Sequence, residues 1–430
     1  MSEHIIFRHA LLPDGWAENV CISFDDGIIT QVAPGQTSGQ GIALPGMPNL
    51  HSHAFQRAMA GRAEYRGASS DSFWTWRTLM YKLALSLDPD DVQAIATLAF
   101  TEMLEAGFTA VAEFHYLHHA PDGSPYADIG EMAARLAAAA AETGIDLLLL
   151  PVFYAHSDFG GQPPAEGQRR FINDLDRYEK LYARCQSLSA TGCAPHSLRA
   201  ATIEQINALA KLNGAAPFHI HIAEQMAEVE ACVAFSGLRP VEYLLKNATV
   251  SSNWCLVHAT HVTAAEAHEM ARAQAVAGLC PITEANLGDG IFPSADFTGA
   301  YGIGSDSNVL IDAPRELQML EYSQRFARQK RNVMATSGIC ATATSLYHHA
   351  VEGGAQAMGL TAGLRVGAPA SFVTIQGETP DAALADAVFT ARSLAIRDVW
   401  VRGRQVVQNG QHPLAQKARA GLTDVQRRRL

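Results

Sequence analysis

Several things are missing from this 430-residue chain, and each absence narrows what it can be. Its seven cysteines (Cys21, Cys185, Cys193, Cys232, Cys255, Cys280 and Cys340) are odd in number, scattered, and without a CxxC. That pattern argues against a disulfide-stapled secreted scaffold and a CxxC zinc module, and predicts reduced, mostly buried thiols in a cytoplasmic protein. No apolar run reaches the ~18 residues that a transmembrane helix needs. The opening MSEHIIFRHALLPDG lacks the charged-then-apolar layout of a signal peptide. Basic runs are absent, and 32 Lys plus Arg against 43 Asp plus Glu leave a net charge of −11. Such a chain is a poor candidate for binding nucleic acid or an anionic membrane. Short-period repeats and low-complexity tracts are absent too. What remains is an ordinary globular composition, 48% hydrophobic and 17% charged.

At roughly 150 residues per domain the length allows two or three domains, and a (β/α)8 barrel of ~250 residues would take most of it. Short apolar runs at Ile42–Leu50, Phe108–Phe114, Ile145–Val152, Leu188–Pro195, Pro217–Ile222, Asn253–Val257, Ala275–Pro281 and Ala300–Ile303 read as buried strands. Helical patterns lie between them. In Pro89–Ala106, Asp88 is a plausible N-cap, Pro89 takes the first helical position, and Gly107 is the stop. Ile129–Thr143 behaves alike and ends at Gly144. Strand–helix alternation predicts parallel βα units of an α/β fold. Eight units predict a closed, TIM-like (β/α)8 barrel, with an open doubly wound sheet as the alternative. The flanks differ. Turns at Pro13-Asp14-Gly15 and Asp25-Asp26-Gly27 separate short strands near one end, and Ser371–Ile375, Asp398–Val401 and Gln405–Val407 follow near the other. Paired, they would make one small β-sandwich domain from residues 1–45 and 367–415 around a barrel of residues 46–366, with 416–430 as a C-terminal tail.

Candidate chemistry gathers at the ends of the expected strands. In Pro48-Asn49-Leu50-His51-Ser52-His53, the two histidines alternate on a strand, so both imidazoles point the same way and can reach one ion. An HxH alone is a weak sign. His219 and His221 lie on Pro217–Ile222 with Glu224 just beyond, His258 follows Asn253–Val257, and Asp306 follows Ala300–Ile303. All fall at C-terminal strand ends, where barrel active sites are built. Imidazoles with one carboxylate suit zinc, or iron, in near-tetrahedral geometry with a position left open for water.

In these motifs the sequence resembles the amidohydrolase superfamily: an HxH after strand one, a histidine after strands five and six, and an aspartate after strand eight. The resemblance covers essentially the whole chain, including the closing hairpin Val399–Val407. One departure is Pro369-Ala370-Ser371, where relatives usually carry Ala-Asp; it touches only the small domain. The resemblance implies one divalent metal, Zn2+ or Fe2+, on His51, His53, His221 and Asp306. Deaminase-type relatives carry His-x-x-Glu, which selects His221 over His219 and gives Glu224 the role of proton shuttle. His219 is then expected as a barrel-interior histidine satisfied by hydrogen bonds. No lysine stands in Thr191–Arg199, where two-metal relatives carry a carboxylated one. In one-metal relatives the strand-six histidine acts as base, the role implied for His258 together with Asp306. His118 and His119, clustered with His115, are expected in a solvated loop, and His261 is expected to support the site or the structure.

The implied reaction is hydrolysis at a C–N centre, in which Glu224 protonates the departing nitrogen. Two arginines on a barrel mouth, Arg77 and Arg199, make a natural clamp for a small dicarboxylate, against the plainer reading of each as a solvated surface cation. The segments His51–Arg57, Phe73-Trp74-Thr75-Trp76-Arg77 (preceded by Asp71-Ser72) and Ala194–Arg199 are similar to those of the formiminoglutamate deiminases of bacterial histidine breakdown. That similarity implies that Gln56, Arg77, Tyr116, His196 and Arg199 hold N-formimino-L-glutamate, which water converts to N-formyl-L-glutamate and ammonia. It also implies a cytoplasmic homodimer with neither nucleic-acid nor membrane partners. Residues 61–80 are candidates for a cover over the mouth. The alternatives are a purine- or guanidine-type deaminase of the same superfamily, and a non-catalytic metal-binding protein. Glu224 beside a ligand histidine argues against the latter, because a structural zinc needs no acid–base partner.

Overall fold

The computed structural model describes residues 3–37, 39–65, 73–390 and 396–430. Residues 66–72 of the expected cover, Asp71 and Ser72 among them, lie outside the described residues.

The barrel begins with the strands Met47–Ser52, Phe108–His115 and Asp146–Phe153, then a fourth position split into Ala190–Thr191 and Ala194–Pro195. Phe218–Ile222, Trp254–His258, Val276–Leu279 and Tyr301–Ile303 complete it. Within each of its two sheets, neighbours pair in parallel. Parallel bridges close both seams: Cys193–Phe218 and Ser197–His221 join position four to five, and Ser52–Asp306 joins eight to one. Phe108–His115 is buried at every residue, as a largely apolar strand is when helices cover one face and the barrel interior fills the other.

Two of the expected strands are broken, for identifiable reasons. Ile42–Leu50 divides at Gly46. Ile42–Pro45 pairs with the flanking strands, whereas Met47–Ser52 enters the barrel. A Cβ at Gly46 would sit 2.1 Å from Thr109 Oγ1, so the chain crosses between the two sheets where only glycine fits. Leu188–Pro195 breaks because it changes partner. Gly192 N–H bonds Leu149 O on one side, and Cys193 N–H bonds Pro217 O on the other.

The helix Pro89–Glu105 opens with a reciprocal cap, in which Asp88 accepts Asp91 N–H at 2.9 Å and Asp91 accepts Asp88 N–H at 3.0 Å. The chain ends form one seven-stranded sheet, ordered Arg404–Val407, Ile396–Val401, Phe372–Ile375, Ile42–Pro45, Glu3–Leu12, Gly15–Asp25, Ile28–Pro34. Phe7, Ile22, Phe24 and Phe372 fill its own apolar cluster. We propose residues 46–366 as the barrel domain and 1–45 with 367–415 as the small β domain. The final residues form a helix, Ala415–Arg429, tied to Pro89–Glu105 by Arg429 Nε on Asp91 at 2.8 Å. Among the described residues no helix is long and apolar enough to cross a membrane.

Candidate active site

The C-terminal strand ends bring His51, His53, His221, His258 and Asp306 into one buried cluster. His51 Nε2 lies 3.2 Å from His53 Nε2 and 3.0 Å from His221 Nε2. Asp306 Oδ1 is 3.6 Å from His51 Nε2 and 3.3 Å from His53 Nε2. The backbone turns sharply to aim these groups inward: φ is +50° at Ala223, +65° at His258, +48° at Ala259 and +45° at Asp306. Left-handed conformations cost a non-glycine residue roughly 1–2 kcal/mol and persist where the surroundings over-determine them. Asn49 supplies part of that constraint. Its Nδ2 donates to Ser305 Oγ at 2.7 Å and its Oδ1 accepts Ser305 N–H at 3.0 Å, fastening the strand of His51 to the loop of Asp306.

The donor set fits a divalent cation. His53 Nδ1 is 2.9 Å from Phe114 O, and His221 Nδ1 is 3.0 Å from His196 O. A carbonyl oxygen only accepts, so both Nδ1 atoms carry the proton and both Nε2 atoms present lone pairs to the cluster. Lone pairs this close repel unless a cation lies between them. Two ligand nitrogens ~2.0–2.1 Å from a tetrahedral ion are themselves ~3.3–3.4 Å apart, close to the spacing seen. Burial keeps the ligands neutral: it holds His51 and His221 well below the usual imidazole range and, against the Phe114 hydrogen bond, lowers His53 to about 3. Burial lifts Asp306 to about 6, with His258 opposing the rise. His258 and Cys280 come close enough to share the cluster, Cys280 beside Asp306.

Beyond the cluster stand the candidate proton-transfer groups. His258 Nε2 is 3.8 Å from both Glu224 Oε1 and Asp306 Oδ2, and its Nδ1 is 3.3 Å from Glu284 Oε1. Burial disfavours the imidazolium, whereas Glu224, the Glu284 hydrogen bond and Asp306 favour it and raise the pKa. A divalent cation held by Asp306 would oppose that pull and leave Nε2 free to accept a proton. Burial raises Glu224, the direction an acid needs. The Glu228 carboxylate accepts Ala223 N–H at 3.2 Å and Glu224 N–H at 3.3 Å, bracing the turn that presents Glu224. His219 lies elsewhere, its Nε2 2.8 Å from Ala357 O. His118 and His119 are buried, which corrects the solvated-loop expectation. His118 Nε2 meets Val152 O at 2.8 Å, His119 Nε2 meets Ile172 O at 3.0 Å, and Arg170 O accepts both backbone N–H groups. The loop is pinned under its neighbours, so these rings fill space and satisfy carbonyls.

A pocket opens above the cluster, and Gln56, Arg77, His196 and Arg199 line it together with Tyr116. Gln56 Nε2 donates to Tyr116 OH at 2.7 Å, and among the described residues Gln56 Oε1 has no hydrogen-bond partner. The buried Arg199 Nε also lacks one. Arg77 Cζ stands 4.4 Å and Arg199 Cζ 5.9 Å from the centre of the Trp74 ring, so one indole supports both guanidinium groups. Sequence reasoning missed Asn49, Glu228 and Glu284. It also missed Tyr154, a pocket-lining phenol that accepts from Gln168 Nε2 at 2.8 Å. Asn49 lay two residues before His51 and Glu228 four residues beyond Glu224, so their neighbourhood was the available signal.

The family model described as Amidohydrolase family matches residues 42–406, and one described as Formimidoylglutamate deiminase HutF, N-terminal domain, matches residues 3–41. The chain is 49% identical to a formimidoylglutamate deiminase of Pseudomonas aeruginosa, with 95% of each chain covered. Among solved structures, an amidohydrolase from Brucella melitensis is similar at a TM-score of 0.96 and 48% identity over 99% of both chains. An adenosine deaminase from Xanthomonas campestris with bound Zn shares the fold at a TM-score of 0.79 and 20% identity, over 99% of this chain and 98% of that one. On the match across residues 42–406 and the converging strand-end ligands, the chain belongs to the amidohydrolase family.

Proposed function

We propose that this chain is a divalent-metal hydrolase that converts N-formimino-L-glutamate and water to N-formyl-L-glutamate and ammonia, a step of histidine degradation. The observation that carries the reading is a pair of arginines, Arg77 and Arg199, on the wall of the pocket that opens onto the histidine–aspartate cluster. A neutral heterocycle has no use for two guanidinium groups, whereas a dicarboxylate pairs with both. The similarity to the Pseudomonas aeruginosa formimidoylglutamate deiminase supports the same substrate.

In this reading His51, His53, His221 and Asp306 hold the metal, for which we propose zinc. When bound, it supplies Lewis acidity that lowers the pKa of a water toward neutrality. Arg77 and Arg199 take the substrate's carboxylates, and Gln56, Tyr116 and His196 orient the formimino end. His258 Nε2 and Asp306 receive the proton of the attacking water. Glu224, whose pKa burial raises, gives a proton to the terminal nitrogen. A C–O bond forms as the C=N bond becomes single. The water proton then passes from His258 to the same nitrogen, the C–N bond breaks and ammonia leaves, and the hydroxyl proton returns to Glu224 as the formyl C=O forms. A cytoplasmic homodimer, expected from the family resemblance, belongs to the same reading, and light scattering on the purified protein reads its oligomeric state.

The test is ammonia release by zinc-loaded protein given N-formimino-L-glutamate, with guanine and other neutral deaminase substrates alongside. Turnover of the formimino acid alone supports the reading. Turnover of a neutral heterocycle alone would keep the metal cluster and overturn the arginine clamp.

A further inference from the structure

We propose that Glu284 is a positioning residue for this hydrolysis: it fixes His258 in the tautomer that carries its proton on Nδ1, which leaves Nε2 to receive the proton of water. The catalytic readout of this proposal rests on the function proposed above. Strand Val276–Leu279 ends at Cys280, and the helix Pro281–Leu287 starts at once. Glu284 stands in its first turn and folds back, so that Oε1 accepts Cys280 N–H at 2.8 Å. The same oxygen lies 3.3 Å from His258 Nδ1. Because Cys280 N–H holds the carboxylate in place, the imidazole meets an acceptor of fixed direction. An acceptor at Nδ1 demands a proton there. Nε2 then faces Glu224 Oε1 and Asp306 Oδ2, each 3.8 Å away, and is buried with no hydrogen-bond partner among the described residues.

His258 needs such a clamp. Two successive left-handed residues, His258 and Ala259, end its strand, so the regular ladder does not set the ring's direction. A helix-capping role alone explains the Cys280 contact. It does not explain why the imidazole shares the same oxygen. The logic matches the buried carboxylate of a serine-protease triad, which holds a histidine in its working tautomer without itself being protonated.

Two variants separate orientation from charge. In Glu284→Gln, Cys280 N–H keeps the amide oxygen on its side, because the NH2 group would set donor against donor. The acceptor at His258 Nδ1 survives, and kcat should stay within about tenfold of wild type. In Glu284→Ala it is lost, and kcat should fall by roughly 100-fold or more, the scale of one general base. KM and zinc content should hold in both variants, since neither substrate nor metal is touched. Nitrogen-15 spectra of histidine-labelled, zinc-loaded protein read the tautomer directly, with the His258 signals identified by their loss in His258→Gln. Wild type and Glu284→Gln should show a protonated Nδ1, and Glu284→Ala a mixture. An unprotonated Nδ1 in wild type overturns the proposal, whether or not Glu284→Ala folds. So does an equal fall of kcat in both variants with a lowered melting temperature and Nδ1 still protonated, which would make Glu284 a helix cap only. The spectra need no substrate. Failure of wild type to turn over N-formimino-L-glutamate therefore counts against the substrate reading and leaves the tautomer to decide this one.

Discussion

Replacing Arg199 by methionine should damage binding of one carboxylate and little else. Arg199 is only 7% exposed, faces the pocket, and has an Nε with no hydrogen-bond partner among the described residues. A substrate carboxylate there would form a buried, charge-assisted pair. Truncating one partner of such a pair costs about 2–5 kcal/mol. At ~1.4 kcal/mol per factor of ten, kcat/KM should fall on the order of 30- to 3,000-fold. The carboxylates lie away from the reacting carbon, so the loss should appear in KM more than in kcat. The assay is ammonia release from three compounds: N-formimino-L-glutamate, N-formimino-γ-aminobutyrate, which lacks the α-carboxylate, and N-formimino-norvaline, which lacks the γ-carboxylate. An arginine that binds a given carboxylate costs nothing further once that carboxylate is gone. Arg199→Met and Arg77→Met should each lose their effect on one analogue, and on different ones. Arg199 also lies near the buried Glu228, whose charge helps raise its pKa against the effect of burial, so Arg199→Lys serves as the charge-conserving control. Equal losses on all three compounds for both arginines would refute the clamp.

Removing the metal should lower the melting temperature, because repelling lone pairs in the cluster then lack their counter-charge. Zinc at a thousandfold excess over its Kd should restore about 4 kcal/mol, and calorimetry showing no shift would sink the ligand assignment. Asn49→Ala leaves the buried Ser305 N–H unpaired, so urea unfolding should show a loss of about 1–3 kcal/mol together with weaker zinc binding; unchanged zinc affinity would deny Asn49 its fastening role. Glu113 is buried and accepts Ala54 N–H at 2.7 Å, and burial, only partly offset by hydrogen bonds from Ala54 and Ser52, pushes its carboxyl to about 8. The folded chain thus keeps a proton that the unfolded chain releases near pH ~4.3, and stability falls as pH rises from there to about 8. Glu113→Gln should flatten that slope in urea titrations across the range, and an unchanged slope would remove Glu113 as its source.

What the sequence revealed and what it hid have physical causes. The barrel strands were legible because a strand covered on both faces is predominantly apolar, as Phe108–His115 is apart from Thr109, Glu113 and His115. The cap at Asp88 was legible because its partner, Asp91, is three residues away. The His51–His53 pair showed itself by local spacing, and the family resemblance singled out His221 and Asp306. Asn49 did not, because its partner Ser305 lies 256 residues along the chain. Glu284 met the same obstacle, since Cys280 is local but His258 belongs to a different strand. His118 and His119 misled because polar residues after a strand read as solvent-facing loop. Burial there comes from the segment of Arg170, whose carbonyl binds both backbone amides, and nothing near the histidines in sequence announces it.

The loops that carry the proposed substrate contacts also orient the proposed metal ligands. His221 donates its Nδ1–H to the carbonyl of His196, whose imidazole lines the pocket. His53 donates its Nδ1–H to Phe114 O, two residues before Tyr116, and Tyr116 holds Gln56, three residues after His53. A backbone shift at His196 or at Phe114–Tyr116 therefore moves a proposed substrate contact and a proposed metal ligand together. Substrate recognition and metal affinity cannot vary independently at these positions. Arg77 is different. It reaches the pocket from the helix Phe73–Ser86, which supplies no ligand, and it rests on Trp74 of the same helix. A change of substrate class on this barrel is thus easiest at the helix of Arg77 and hardest at His196. The Ala194–Arg199 segment, which carries both a proposed clamp arginine and the carbonyl that aims His221, is the part of the mouth least free to change.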